Sequence, residues 1–130
     1  MPHVVQAVVL KNGTGRFMAR VKNQLGLPIV QNDVTSISYT VYALDARDPD
    51  KQTPVEGHED VPLDKAEVVF DELQTDDRWK ADELGYNFAH TINVNTQSAF
   101  RVRGADYLVV YSISTVSGQA MQLAFNARVI

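Results

Sequence analysis

Three stretches of this chain alternate apolar and polar side chains with a period of two residues. They cover residues 34–45, 107–114 and 121–129. Successive side chains of a β-strand point to opposite faces of its sheet, so this period indicates strands with one buried face. The residues predicted to face the core are Ile37, Tyr39, Val41, Ala43, Tyr107, Val109, Tyr111, Ile113, Met121, Leu123, Phe125, Ala127 and Val129. The glycine-containing link 116–119 predicts a hairpin between the last two strands.

Weaker strand signals occur in four further segments, 4–10, 17–21, 67–70 and 88–94. About seven short antiparallel strands separated by turn-rich links are typical of an all-β sandwich. Only the segment 72–80 favours helix, because Thr75 is a suitable N-cap. We predict one short helical turn near 72–80, which packs Trp79 against an edge of the sandwich.

Length and composition limit the classes of protein that this chain can belong to. Its 130 residues suit a single domain spanning 1–130. The absence of cysteine excludes disulfides, thiol nucleophiles and cysteine-bound metal sites. No apolar run approaches the roughly 18 residues of a membrane span, and no basic residue precedes the apolar residues 4–10. We therefore expect no signal peptide and no transmembrane segment.

Charge is distributed unevenly along the chain. Residues 45–83 contain 14 acidic and 5 basic residues, whereas the rest of the chain contains 2 acidic and 7 basic ones. The segment 46–62 (the acidic segment) holds three prolines and shows no periodicity, which predicts a long acidic loop. Since it contains few apolar residues, we expect 47–62 to be dispensable for folding, with a change of only about 1 kcal/mol on shortening, but needed for partner binding.

The exposed charges are candidates for contacts with protein partners. The residues predicted to bind partners are Asp48, Asp50, Glu56, Glu59, Asp60, Arg16, Arg20 and Lys22. The last three form a small basic face, and Arg101 and Arg103 form another. Neither face is dense and the net charge is −4, so the sequence does not favour nucleic-acid binding.

Residues capable of catalysis or metal binding are sparse. His58 lies in the acidic segment without a second histidine at zinc-ligand spacing, and His90 shares a predicted strand face with apolar residues. Asp45, Asp48 and Asp50 are weak candidates for a calcium site, although the EF-hand pattern is absent. With no nucleophile motif and no phosphate-binding loop, we predict a protein without enzymatic activity, metal or cofactor, and without a small-molecule substrate.

The C-terminal third resembles the immunoglobulin-like sandwich. Asp106 and Tyr107 follow a basic link, 101–104, and precede an alternating strand, a turn and a final strand. This arrangement is similar to a tyrosine corner, in which the phenol hydroxyl bonds to the backbone at one end of the sandwich. The resemblance implies an immunoglobulin-like architecture, without the cysteines and the central tryptophan of antibody domains.

A second resemblance covers most of the chain. The runs VTSISYTVYALD and LQTDDRWKADELGYNFAHTI, with the SGQ turn before the last strand, look like those of small uncharacterised proteins encoded among tailed-phage and prophage structural genes. The resemblance implies a head, neck or tail accessory subunit that contacts other virion proteins, as a homo-oligomer or ring. With no signal peptide and no transmembrane segment expected, it implies a location in a virion or in the host cytoplasm. The alternative is an immunoglobulin-like adhesion or carbohydrate-binding module, for which Trp79, Tyr86 and Phe88 would supply an exposed aromatic platform.

Overall fold

The structure is a computed structural model that describes residues 4–23, 25–48, 50–75, 85–92 and 99–130. Its elements, in chain order, are β1 (Val4–Val9), β2 (Arg16–Ala19), a 3₁₀ helix (Gln31–Asp33), β3 (Val34–Leu44), β4 (Gln52–Pro54), β5 (Val61–Leu63), α1 (Lys65–Val68), β6 (Val69–Gln74), β7 (Tyr86–Thr91), β8 (Asp106–Thr115) and β9 (Ala120–Val129). The strands form two sheets, and the predicted all-β sandwich is confirmed.

The larger sheet has the strand order β1-β9-β8-β3-β4, and β5 also pairs with β3. Strands β3, β8 and β9 are its long members and pair antiparallel, whereas β1 runs parallel to β9. Tyr39 of β3 lies opposite Tyr111 of β8, and Val109 of β8 lies opposite Phe125 of β9. This register places the alternate, apolar side chains of all three strands on the same face of the sheet.

The smaller sheet has the order β2-β7-β6 and covers that apolar face. Two aromatic contacts join the sheets: Phe17 of β2 packs on Phe125 with ring centroids 5.0 Å apart, and Phe88 of β7 packs on Tyr111 at 4.8 Å. Burial of large aromatic side chains between two sheets supplies most of the hydrophobic stabilisation of a sandwich.

The seven segments predicted to form strands all contain strands, and the predicted core faces are confirmed. Each of the thirteen side chains predicted to face inward is buried or partly buried. The limits differ at a few ends. The segment predicted at 67–70 is strand only from Val69, because residues 67 and 68 belong to α1. The segment predicted at 88–94 is strand over Tyr86–Thr91, and residues 93 and 94 lie outside the described residues.

The acidic segment is not the long loop expected from its composition. It contains β4 and begins β5, and both strands pair with the edge of β3 that faces away from β8. The Val41 N–H donates to the carbonyl of His58, and the Val41 carbonyl accepts from the Val55 N–H, each at 2.8 Å. The free edge of β3 selects the extended conformation here, because its backbone groups need partners.

The helical turn predicted near 72–80 is wrong at residues 72–74, which form a strand. A short helix occurs earlier, at Lys65–Val68, where the Asp64 side chain accepts a hydrogen bond from the Ala66 N–H at 2.9 Å and so caps the helix. Residues 72–74 belong to β6, which pairs with β7, and the rest of that prediction, including Trp79, lies outside the described residues. Pairing with β7 therefore overrides the local helix signal at the start of this segment.

Candidate functional site

A cavity of about 420 Å³ opens between α1, β5 and the end of β7. Strand β6 pairs with the first part of β7, and α1 packs beside β7 at Val68, which leaves a gap next to the end of the strand. Tyr39, Phe70 and His90 supply aromatic surface to this gap. A concave surface with a few polar groups is the usual form of a ligand site.

The charged residues around the cavity have defined roles. The Arg16 Nη1 donates to the Thr91 hydroxyl at 3.1 Å, which holds the guanidinium beside the end of β7. Asp64 lines the cavity while capping α1, and Glu67 of α1 is exposed at its rim. One cation and two carboxylates thus surround an aromatic interior, an arrangement that suits a polar ligand with several hydrogen-bonding groups.

A cluster of two tyrosines and two histidines lies behind the cavity. The Tyr39 hydroxyl and the His58 Nδ1 are 2.8 Å apart, and the His90 Nδ1 and the Tyr111 hydroxyl are 2.9 Å apart. The rings of Tyr39 and His90 pack together with centroids 5.1 Å apart. One hydrogen-bonded pair joins β3 to the acidic segment and the other joins β7 to β8, and the packing of Tyr39 on His90 links the two pairs. These bonds give the polar groups inside the sandwich partners.

Burial sets the protonation states of this cluster. Desolvation lowers the pKa of His90 to about 4, so the imidazole is neutral at pH 7. Desolvation raises the pKa of Tyr39, and the pKa of Tyr111 is raised well above its ordinary value by desolvation and by the nearby Tyr39. All three side chains are therefore neutral at physiological pH, and they act as hydrogen-bonding groups.

The predicted calcium candidates are used to build a turn. The Asp45 carboxylate accepts from the backbone N–H groups of Arg47 and Asp48, at 2.8 and 3.2 Å. The Asp48 carboxylate accepts from the Asp50 N–H at 3.2 Å. Within the described residues, no three His, Asp or Glu side chains are grouped so that they could hold a metal ion. These contacts instead shape the β3–β4 connection as successive Asx turns.

The predicted acidic partner-binding residues lie along one side of the molecule. Asp48 and Asp50 belong to the β3–β4 connection, and Glu56, Glu59 and Asp60 to the β4–β5 connection. All five are exposed, and we call them the acidic edge. The Asp60 N–H donates to the Thr40 hydroxyl at 2.8 Å, which attaches this connection to β3. The structure thus brings together the acidic half of the predicted site.

The predicted basic residues lie at three different places. Arg16 lines the cavity, and the Arg20 Nη1 donates to the Gly85 carbonyl at 3.1 Å, which ties β2 to the start of β7. Lys22 is exposed beyond the end of β2, where its backbone forms a bridge with Pro28. The three side chains therefore do not form one common binding surface.

A second exposed surface lies where β1 and β9 end, and its Arg128 lines a cavity with Asp45 and Ala46 of the β3–β4 connection. Its exposed cations are Lys11, Arg101, Arg103 and Arg128, and we call them the basic edge. Arg128 forms a bidentate ion pair with Asp106, at 2.9 and 3.1 Å. Exposed apolar side chains accompany these cations: Val8 and Leu10 are each 66% exposed and Ile130 is 54% exposed. Large apolar side chains grouped at a surface are typical of contact sites.

Sequence reasoning missed the apolar part of the basic edge and the burial of His58, which is only 2% exposed. In the sequence, His58 is flanked by two valines, Val55 and Val61, and both are partly buried against the core. These valines are the sequence feature from which a folded segment could have been predicted. The sequence around Leu10 does not indicate that this side chain is exposed, because apolar side chains of β3 such as Val41 are buried.

Comparison of the chain with protein-family models, curated proteins and solved structures finds no match. Among the described residues, no helix has the length and the apolar character that a membrane span requires.

Proposed function

We propose that this protein is a non-enzymatic structural or assembly subunit of a phage-like virion, a head, neck or tail accessory protein that acts through protein–protein contacts. The observation that carries the proposal is the grouping of exposed charge into two surfaces, carboxylates in the connections beside β3 and cations with exposed apolar side chains where β1 and β9 end. Complementary potentials of this kind steer association and fix the register of subunits. Other virion proteins, or further copies of the chain, are the partners that this surface suits.

The strand order supports an immunoglobulin-like architecture for the subunit. In that fold, strands B, E and D form one sheet and strands C, F and G the other. The same connectivity is obtained when β2, β7 and β6 are matched to the first set and β3, β8 and β9 to the second. The Tyr107 hydroxyl accepts from the Arg101 and Val102 N–H groups, at 3.3 and 3.2 Å, as expected for a tyrosine corner.

The proposal is tested by light scattering of the purified protein, followed by capture of partners from a lysate that contains phage particles. We expect an oligomer, or retention of virion structural proteins on the immobilised chain. A matched variant in which Glu56 and Glu59 are replaced by lysine should lose this retention, because both side chains belong to the acidic edge. A strictly monomeric protein that retains no virion component would refute the proposal.

The cavity favours an alternative function, an immunoglobulin-like adhesion or carbohydrate-binding module. The aromatic platform expected from the sequence is wrong in two of its members, because Tyr86 and Phe88 are buried in the sandwich. The cavity instead combines the partly exposed Phe70 and His90 with carboxylates such as Glu67, groups that can stack on a sugar ring and bind its hydroxyls. Titration with a panel of monosaccharides, monitored by the NMR signals of His90, would support this function if the shifts saturate in the wild type and vanish in Glu67→Gln.

A further inference from the structure

Strand β1 differs from the other strands that end a sheet. Among the described residues, the edge strands are β1 and β4 in the larger sheet and β2 and β6 in the smaller one. Strand β4 ends in Pro54, β2 begins with Arg16, and β6 contains Asp71 and an irregular register with β7. Proline, charge and irregular pairing keep an edge strand from pairing with another chain. Strand β1 has the sequence VVQAVV and a continuous register with β9, so it has none of these features.

The hydrogen bonds at the end of β1 show which of its backbone groups lack a strand partner. The Val9 carbonyl accepts from the Ile130 N–H at 2.9 Å, and the Lys11 N–H donates to the Ile130 carbonyl at 3.1 Å. Since the backbone groups of successive residues point to opposite sides of a strand, those of the odd-numbered residues point towards β9. Three residues of β1 therefore direct their N–H and carbonyl groups away from β9, where no described strand pairs with them. These residues are Val4, Gln6 and Val8.

Exposed apolar side chains lie beside this unpaired edge. Val8 is 66% exposed, and Leu10, directly after the strand, is exposed to the same extent. Gln6 is exposed on the same face of the sheet as Val8. Val5 and Ala7 face the other way and pack against the core, which holds β1 in place. A strand added to β1 would therefore meet a fixed edge and would cover apolar surface that is now in water.

We propose that β1 pairs antiparallel with β1 of a second copy of this chain, about a two-fold axis, so that the two larger sheets become one. The inference rests on the proposed function, an assembly subunit, and names the partner of one of its edges. An antiparallel pair exchanges the same donors and acceptors in both directions, so such an edge is complementary to itself. The register that places Gln6 opposite Gln6 also places Val4 opposite Val8. It is the register that pairs all three residues of the unpaired edge.

The charges near β1 favour a second copy in this orientation. The strand itself contains no charged residue, so two copies place no like charges opposite each other along it. Lys11 follows the strand, five residues after Gln6, and the antiparallel register sends the two Lys11 residues to opposite ends of the pair. About ten residues at about 3.4 Å separate them by about 34 Å, several times the Debye length of about 8 Å. The cations of the two copies therefore do not oppose the contact.

The experiment introduces a charge at the centre of the proposed pair, in the full chain. Gln6→Lys places two lysines directly opposite each other, and like charges in this position destabilise strand pairing. Sedimentation velocity should show a dimer of the wild type and association about fivefold weaker in Gln6→Lys, and likewise in Gln6→Glu. An equimolar mixture of these two variants should recover the association, because lysine then lies opposite glutamate.

Gln122→Lys is the matched control for the added charge. Gln122 is an exposed glutamine on the same face of the larger sheet as Gln6, but its strand, β9, lies inside the sheet between β1 and β8. This variant should associate like the wild type. Because both glutamines are exposed, all the variants should melt like the wild type, and recovery in the mixture shows that both Gln6 variants are folded.

Cross-linking measures the register directly. The chain contains no cysteine, so a single introduced cysteine reports one contact. Opposite residues of a hydrogen-bonded antiparallel pair have Cα atoms about 5.5 Å apart, a distance that suits a disulfide. Gln6→Cys should therefore form a disulfide-linked dimer under mild oxidation, whereas Gln122→Cys should remain a monomer on a denaturing gel.

Three results would overturn the inference. The first is a wild type that stays monomeric at about 1 mM; if this monomer still retains virion proteins, the proposed function stands without the β1 contact. The second is an oligomer that Gln6→Lys leaves unchanged, since the protein then assembles through another surface. The third is a mixture of Gln6→Lys and Gln6→Glu that fails to recover association although both variants melt like the wild type.

Discussion

Tyr107 shows how one side chain closes an end of the sandwich. Its ring is buried and packs edge-on against Phe100 with centroids 5.6 Å apart. Its hydroxyl accepts hydrogen bonds from two backbone N–H groups of the link that precedes β8. The predicted bond between this phenol and the backbone is therefore confirmed. A buried tyrosine needs such a partner, because its hydroxyl would otherwise lose its hydrogen bonds with water on folding.

Phe125 and Asn126 are neighbours in β9 with opposite surroundings. Phe125 is 2% exposed and packs between Phe17 and Tyr111, so Phe125→Ala should lower the free energy of unfolding by about 3–5 kcal/mol. Asn126 lies on the other face, and its Oδ1 is buried without a hydrogen-bond partner among the described residues. Asn126→Ala should therefore change stability by less than about 0.5 kcal/mol, or raise it.

Urea unfolding of the two variants measures these changes. The comparison is matched, because the two residues share one strand and differ only in the face that they occupy. Equal losses at Phe125 and Asn126 would show that the register of β9 is displaced by one residue, since such a shift exchanges the faces of a strand.

His90 makes stability depend on pH in a defined direction. Its pKa is about 4 in the folded protein and 6.5 ordinarily, so between these values the unfolded chain binds the proton and the folded protein does not. The stabilisation associated with the neutral imidazole is complete above pH 6.5 and is lost as the pH falls towards 4. His90→Gln removes this titration. The stability of the wild type relative to His90→Gln should therefore decrease as the pH is lowered.

The measurement is the free energy of unfolding of both proteins at several values between about pH 7 and pH 4. Carboxylates titrate in both proteins alike, so the difference between the two curves isolates His90. Parallel curves would contradict the burial of His90 against Tyr39 of β3 and Tyr111 of β8.

At the scale of elements, the acidic segment pairs with the edge of β3 that β8 leaves free. It supplies β4, the first residues of β5 and the buried His58, whose ring bonds to Tyr39. Replacement of residues 48–60 by a short Gly-Ser link would remove these contacts and expose the edge of β3. We expect a loss of about 3 kcal/mol or more, well above the 1 kcal/mol expected from composition alone.

Thermal unfolding monitored by circular dichroism checks this prediction. The control keeps the backbone of the segment and changes only its charge, through Asp50→Asn, Glu56→Gln and Glu59→Gln. Because these side chains are exposed, the control should unfold within about 0.5 kcal/mol of the wild type. If the Gly-Ser variant is as stable as this control, the segment contributes nothing to the fold.

At the scale of the whole molecule, the two charged surfaces predict an association with virion partners that depends on salt. Between about 0.1 M and about 1 M NaCl the Debye length falls from about 10 Å to about 3 Å, which screens contacts between exposed charges. Retention of virion proteins by the immobilised wild type should weaken over this range while the melting temperature of the wild type changes little. Capture from the lysate at the two salt concentrations is the measurement, and retention that strengthens with salt would indicate an apolar contact instead.

The local pattern of the chain determines most of its strands. Alternation in β3, β8 and β9 predicts both the strands and their buried faces, because a strand exposes its side chains alternately whatever surrounds it. The polar and apolar sequence therefore contains the information for one face of each long strand. The burial of residues such as Tyr39 and Phe125 follows directly from this alternation. The predicted tyrosine hydrogen bond also depends on residues close together in the chain, from Arg101 to Tyr107.

Tertiary structure decides the features that depend on distant partners. β4 and β5 are extended because β3 offers an unpaired edge, and neither their prolines nor their charges indicate this. His58 is buried because Tyr39, nineteen residues earlier in the chain, provides its hydrogen bond. Likewise, the clustered carboxylates are evident from the sequence, but their position beside β3 follows only from the order of strands in the sheet. That order results from pairing between segments far apart in the chain, which no local pattern encodes.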